Sequence, residues 1–173
     1  PALERSVQAL LRRHAALRTA FVAQDGVVQA HVREVDATGL RLEVEEGDAA
    51  GLQAWLQRQA TRAFVLAEPP LLRAGLLRLA PDTHVLALVV HHIVFDGWSA
   101  SVLCGELGRL YAAERLQPGG PVELPPLALQ YADYARWQRA RLATPALDAA
   151  LVYWRAQLQG LQDLELPTDR PRP

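Results

Sequence analysis

The residues best suited to chemistry are His91, His92, Asp96 and Gly97, all within Val90-His91-His92-Ile93-Val94-Phe95-Asp96-Gly97-Trp98-Ser99. Histidine titrates near neutral pH, so an imidazole delivered into a cleft can move a proton between reacting groups. Asp96, four residues on, can hold the histidine loop or carry a proton itself. Gly97 stands where a strand would turn into a helix. Glycine there admits any backbone angle and the close approach of a ligand. Its amide, backed by the positive end of a helix, can face a developing oxyanion; the plainer reading is a simple turn glycine. A metal is not expected, because adjacent strand residues chelate poorly and Asp96 alone completes only a thin ligand set.

These residues must be positioned by the run Val85-Leu86-Ala87-Leu88-Val89-Val90, apolar at every position. Such a run predicts a strand covered on both faces, as at the centre of a sheet. Adjacent side chains on a strand point to opposite faces. His91 and His92 therefore cannot share one cleft while the strand persists, and one is expected to be structural, the other functional. His92 has the parity of Leu86, Leu88 and Val90, and His91 that of Val85, Ala87 and Val89. Parity does not say which face reacts.

Elsewhere, Leu3, Val7, Leu10, Leu11 and His14 predict a first helix. Leu17 to His31 reads as two strands around Gln24-Asp25-Gly26, and Leu40 to Glu45 as a half-exposed strand. A helix beginning at Gly47-Asp48 carries Leu52, Trp55, Leu56 and Gln59 on one side. Leu71 to Leu79 and Thr83 to His92 form an expected antiparallel pair. Helices follow near Ser99 to Glu114, Gln130 to Arg141 and Ala146 to Gln159, with a Pro- and Gly-rich loop after the first. Strands and helices without strict alternation predict an α+β arrangement of helices on a mixed, mostly antiparallel sheet.

Four segments, in order, resemble the condensation domains of non-ribosomal peptide synthetases. His91-His92-Ile93-Val94-Phe95-Asp96-Gly97 fits that family's HHxxxDG signature. Arg13-His14-Ala15-Ala16-Leu17-Arg18-Thr19-Ala20-Phe21 fits its RHxxLRTxF signature. Tyr131-Ala132-Asp133-Tyr134-Ala135-Arg136-Trp137-Gln138 looks like YxDYAxWQ, and Leu166 to Pro173 is similar to its LPxDRPRP segment between subdomains. One departure is Phe64-Val65-Leu66, where the family reads FDL; Pro70-Leu71-Leu72-Arg73 follows as the family has it. The change to Val65 is expected to touch packing or surface, not the reactive centre.

The resemblance implies a chloramphenicol-acetyltransferase-like sandwich and one half of a two-subdomain enzyme. Residues 1–165 would be an N-terminal subdomain lacking the family's first strand and helix. Residues 166–173 would be the linker to an absent second subdomain, and the active site would lie in the channel between the two. The implied reaction joins a carrier-bound acyl or peptidyl thioester to the amine of a downstream carrier-bound aminoacyl group, in secondary-metabolite or antibiotic biosynthesis. His92 would sit beside the attacking nitrogen, as general base or as an orienting group, with Gly97 as the second catalytic position. His91, Asp96 and Arg18 would be structural members of the site. A buried Arg18–Asp96 ion pair is expected, since the family uses both residues structurally and a charge on a covered strand is costly unless paired. No cofactor would bind directly; phosphopantetheine arms of upstream and downstream peptidyl carrier domains would present the substrates, beside an adenylation domain. The alternatives are a coenzyme A-dependent acyltransferase of the same fold, epimerisation or heterocyclisation within the synthetase superfamily, and an inactive carrier-binding fragment. Heterocyclisation would replace the histidine pair with an aspartate-based motif.

Composition fits that reading. The 173 residues suit one domain, 50% apolar and 21% charged, with a formal net charge of -1. Nothing in the charge points to nucleic acid or a membrane surface. Cys104 is the only cysteine, so there is no disulfide framework and no zinc spacing; it is expected to be a small buried hydrophobe. Trp98 reads as packing, and Tyr131, Tyr134, Trp137 and Trp154 as core or subdomain-packing aromatics. With no signal peptide and no apolar run of transmembrane length, a cytoplasmic location is expected.

Overall fold

The computed structural model describes residues 1–34, 39–120, 124–162, 167 and 169. They fall into two compact units, Pro1–Tyr131 and Ala132–Pro173. The expected linker at 166–173 lies outside the described residues, apart from Pro167 and Asp169.

In the first unit, α1 (Ala2–Arg13) buries Ser6, Val7, Leu10 and Leu11, the stripe its spacing predicts. It packs on α3 (Gly97–Leu116), whose inward stripe is Leu103, Leu107, Leu110 and Glu114. Two ion pairs set the register: Arg5 with Glu114 (2.7 Å) and Arg13 with Glu106 (3.0 Å). Moving eight residues forward on α1 moves eight back on α3, so the helices run antiparallel. Cys104 lies outside that stripe and is exposed, against the expectation of a buried thiol.

The sheet has the order β3-β4-β5, built from β3 (Leu42–Glu46), β4 (Leu72–Ala80) and β5 (Thr83–Val90). β3 runs parallel to β4, and β4 antiparallel to β5. Among the described residues β4 is therefore central and β5 an edge, which corrects the central placement expected for Val85–Val90. The unbroken apolar run has a different cause: helices cover both faces. Leu86, Leu88 and Val90 pack toward the α1–α3 core, while Val85 and Ala87 pack toward Trp55 of α2 (Leu52–Thr61). α2 starts five residues after Gly47, because Asp48 Oδ1 accepts the Gly51 N–H at 2.7 Å in a preceding turn. It lies close against the sheet: a Cβ on Gly75 of β4 would stand 3.1 Å from Trp55 Cζ2 and 3.3 Å from Gln59 Cδ.

β1 (Thr19–Gln24) and β2 (Val27–Val32) form a separate antiparallel hairpin. Its two turn residues, Asp25 and Gly26, both have positive φ (51° and 76°), the twist-matched tight turn. The first strand begins two residues later than the sequence predicts. Ala15–Arg18 form a 3-10 turn that sinks Ala15 and Leu17 into the core.

The second unit is carried by α4 (Tyr131–Leu142, whose first residue belongs to the first unit) and α5 (Pro145–Leu158). No described residue of α4 is buried, and Trp137 and Trp154 are 55% and 56% exposed. Tyr131 and Tyr134 are exposed as well. These four aromatics are thus not core residues here.

Candidate active site

β5 ends at Val90, and the next residues leave the strand alternation. His91 is extended, His92–Val94 make a 3-10 turn, and Phe95 and Asp96 are extended before α3. The two histidines differ in surroundings. His91 is half-buried: its N–H donates to the Leu71 carbonyl (3.0 Å), and its Nδ1 accepts the Ile93 N–H (3.0 Å). That last bond makes Nδ1 the unprotonated nitrogen of the neutral ring. The ring also stands edge-on to Phe64, centroids 5.8 Å apart at 84°. His92, by contrast, is exposed at the head of the 3-10 turn.

Asp96 is the N-cap of α3. Its Oδ1 accepts the Ser99 N–H (2.8 Å) and the Ser99 hydroxyl (2.6 Å). Those bonds, the Ser99 hydroxyl first, hold its carboxyl below the usual range, with a further pull from the nearby His92. Gly97 is the first residue of α3. Its φ is not in the region reserved for glycine, and an added Cβ would meet no protein atom within 4 Å. The expectation that this turn needs glycine's backbone freedom is therefore corrected: the 3-10 turn and two extended residues reverse the chain. What Gly97 leaves is open space over the first amide of a 20-residue helix.

Arg18 is not beside Asp96, and the expected ion pair between them is absent. The cause is the 3-10 turn: Arg18 lies at its end, not on a strand, and its Nη1 donates to the Arg33 carbonyl at 2.6 Å. The rest of that segment is absorbed by structure. Arg13 Nε and His14 Nε2 both reach Glu106 (3.0 and 2.6 Å). Burial pushes the Glu106 carboxyl up, but the hydrogen bonds from His14 and Arg13 outweigh it and leave it below the usual range. Gln130 clasps the chain from the other side, accepting from Ala15 N–H and donating to the Arg13 carbonyl (3.1 and 3.0 Å). The Leu17 carbonyl accepts from Leu71 N–H (2.9 Å), and Leu71 in turn accepts from His91, so one backbone ladder links both segments.

Sequence reasoning missed Glu106, although a signal existed. Laid on the helix, Glu106 borders the Leu103-Leu107-Leu110 stripe, where a carboxylate calls for a cation. Trp98, 82% exposed at the mouth of α3, is not packing within the described structure. Among the described residues no group of three or more His, Cys, Asp or Glu gathers as a metal site.

Residues 1–173 match the protein family described as the condensation domain. The chain is 42% identical over 177 residues to chondramide synthase cmdD of Chondromyces crocatus, and 40% over 173 residues to the nonribosomal peptide synthetase kk1B of Curvularia clavata. Each match covers 99% of this chain but only 4% and 1% of the relative. Among solved structures it superposes, at 31% identity and a TM-score of 0.74, on one described as the molecular basis for condensation domain-mediated chain release from the enacyloxin polyketide synthase. That match covers 93% of this chain and 32% of the other.

Proposed function

The chain belongs to the condensation-domain family and has its chloramphenicol-acetyltransferase-like fold, and we propose that it serves amide-bond formation in non-ribosomal peptide synthesis, with His92 at the reacting amine. In this reading the amine of a carrier-bound aminoacyl group attacks the carbonyl carbon of a carrier-bound acyl or peptidyl thioester. The C–N bond forms, the C–S bond breaks, and the donor arm leaves as a thiol with the proton the amine gives up. The observation that carries the reading is the contrast within the histidine pair. His91 is held by backbone and by Phe64, while His92 is exposed beside Asp96 and the start of α3. An exposed imidazole next to an amine can accept its proton or orient it. The Gly97 amide is suited to the oxyanion that forms on the thioester carbonyl.

The chain spans only between 1% and 16% of the curated relatives it matches, so the partners are part of the proposal. They are an upstream and a downstream carrier domain presenting substrates on phosphopantetheine arms, a second condensation subdomain closing the channel, and a neighbouring adenylation domain. No described helix is long and apolar enough to cross a membrane. A cytoplasmic location is a separate part of the proposal. Donor choice tests the reading. The full-length protein should form amide from a carrier-bound thioester and not from the matching free coenzyme A thioester. Equal rates from the two donors would overturn it in favour of a coenzyme A-dependent acyltransferase.

A further inference from the structure

Arg73 of β4 faces α2, on the side of the sheet that carries Gly75 and Leu77. Its guanidinium lies at the end of that helix and donates to three backbone carbonyls there: Ala63 (3.1 Å), Gln59 (3.5 Å) and, in a short bond, Arg62. Gln59 lies in the last turn of the helix and Arg62 is its C-cap, where carbonyls are left unsatisfied and a cation is favoured; Ala63 follows just beyond. The same guanidinium stacks 3.8 Å from the centroid of the Phe64 ring, an attractive cation–π geometry. Phe64 in turn meets His91 edge to face. His91 opens the 3-10 turn whose first residue is His92. The chain of contacts therefore runs from the end of α2 through Arg73, Phe64 and His91 to the backbone that presents His92.

We propose that Phe64, clamped by Arg73, is a positioning residue that fixes His91 and thereby the placement of the His92 imidazole. This rests on the reading of His92 as the reacting group. Neither residue touches substrate in this proposal. A ring and a planar guanidinium are needed for geometry: the stack restricts His91 to one orientation, and the Nδ1 bond to Ile93 then fixes the turn. Loss of the ring leaves His91 room to rotate, and the turn with it. Displacement of a reacting group by about 1 Å can cost on the order of 10²-fold in rate.

The test is a mutant cycle in the full-length protein, read by single-turnover amide formation with loaded carriers, acceptor-carrier KM and thermal stability. Phe64→Leu should lower the rate about 10- to 100-fold with KM unchanged, and Phe64→Tyr, which keeps the ring, should restore most of it. Arg73→Lys keeps charge but not the planar fork and should resemble Phe64→Leu. In a His92→Ala background, Phe64→Leu should have no further effect, because it acts through that imidazole. A merely structural role would slow both backgrounds alike, in step with lost stability, and would overturn the proposal. So would a wild-type rate in a folded Phe64→Leu variant. If instead His92→Ala itself retains the wild-type rate, the assignment of His92 fails and the positioning role falls with it. Should Arg73→Lys not fold, the Phe64 pair alone decides.

Discussion

The Asp96 carboxylate holds the start of α3, and its pH dependence gives that role a signature. Its folded pKa lies below the ordinary carboxylate value, chiefly through the two bonds from Ser99. The cap's contribution is therefore complete above the unfolded pKa, about 3.9, and is lost as pH falls through the lower folded value. Asp96→Asn keeps an acceptor but cannot titrate. Wild type should be more stable than Asp96→Asn near neutral pH, with the gap closing below about pH 4; thermal melts across that range check it. A gap that persists undiminished in acid would mean the carboxylate's charge is not what the helix start uses. At this scale the sequence was readable where spacing is local: the histidine pair, the acid and the helix behind it lie within ten residues. It was not readable for Arg18, because strand parity was counted from Leu17 and a 3-10 turn intervenes before β1. A side chain's partner depends on turns that sequence patterning does not resolve.

At the scale of elements, close approach of α2 to β4 positions the platform from which Arg73 and Phe64 reach the histidine turn. Gly75 is the contact point. Its missing Cβ leaves room for Trp55, 2% exposed, whose indole N–H donates to Glu45 at 2.9 Å. Gly75→Ala should destabilise the protein by about 1–3 kcal/mol, the usual cost of overpacking. Denaturant unfolding measures this, and an unchanged or raised stability would show that α2 shifts freely on the sheet. Hydrophobic spacing foretold α1 and α3, which each bury a periodic stripe, and the β1–β2 hairpin and β4–β5 pair, which turn about short loops; α4 and α5 form where the sequence predicts helices, although no described residue of α4 is buried. It did not foretell that β3 joins β4 in parallel, or that β5 lies at an edge. Covering helices produce the same apolar run as a central position does.

For the whole molecule, the clearest feature is how much apolar surface is exposed on α4 and α5, with Val152, Tyr153, Trp154 and Leu158 all more than half exposed. Exposed apolar surface favours association. The 173-residue chain on its own is expected to self-associate in sizing experiments and to form no amide from loaded carriers. Amide formation by the isolated chain would show that one wall of the proposed channel suffices. His92 carries the proposed reaction, and the direct measurement is single-turnover amide formation by the full-length protein against its His92→Ala variant, with carrier binding followed in parallel. The rate should fall about 10²- to 10⁴-fold, the range for a positioned acid–base group, while carrier affinity holds. A folded His92→Ala variant that condenses at the wild-type rate would contradict it.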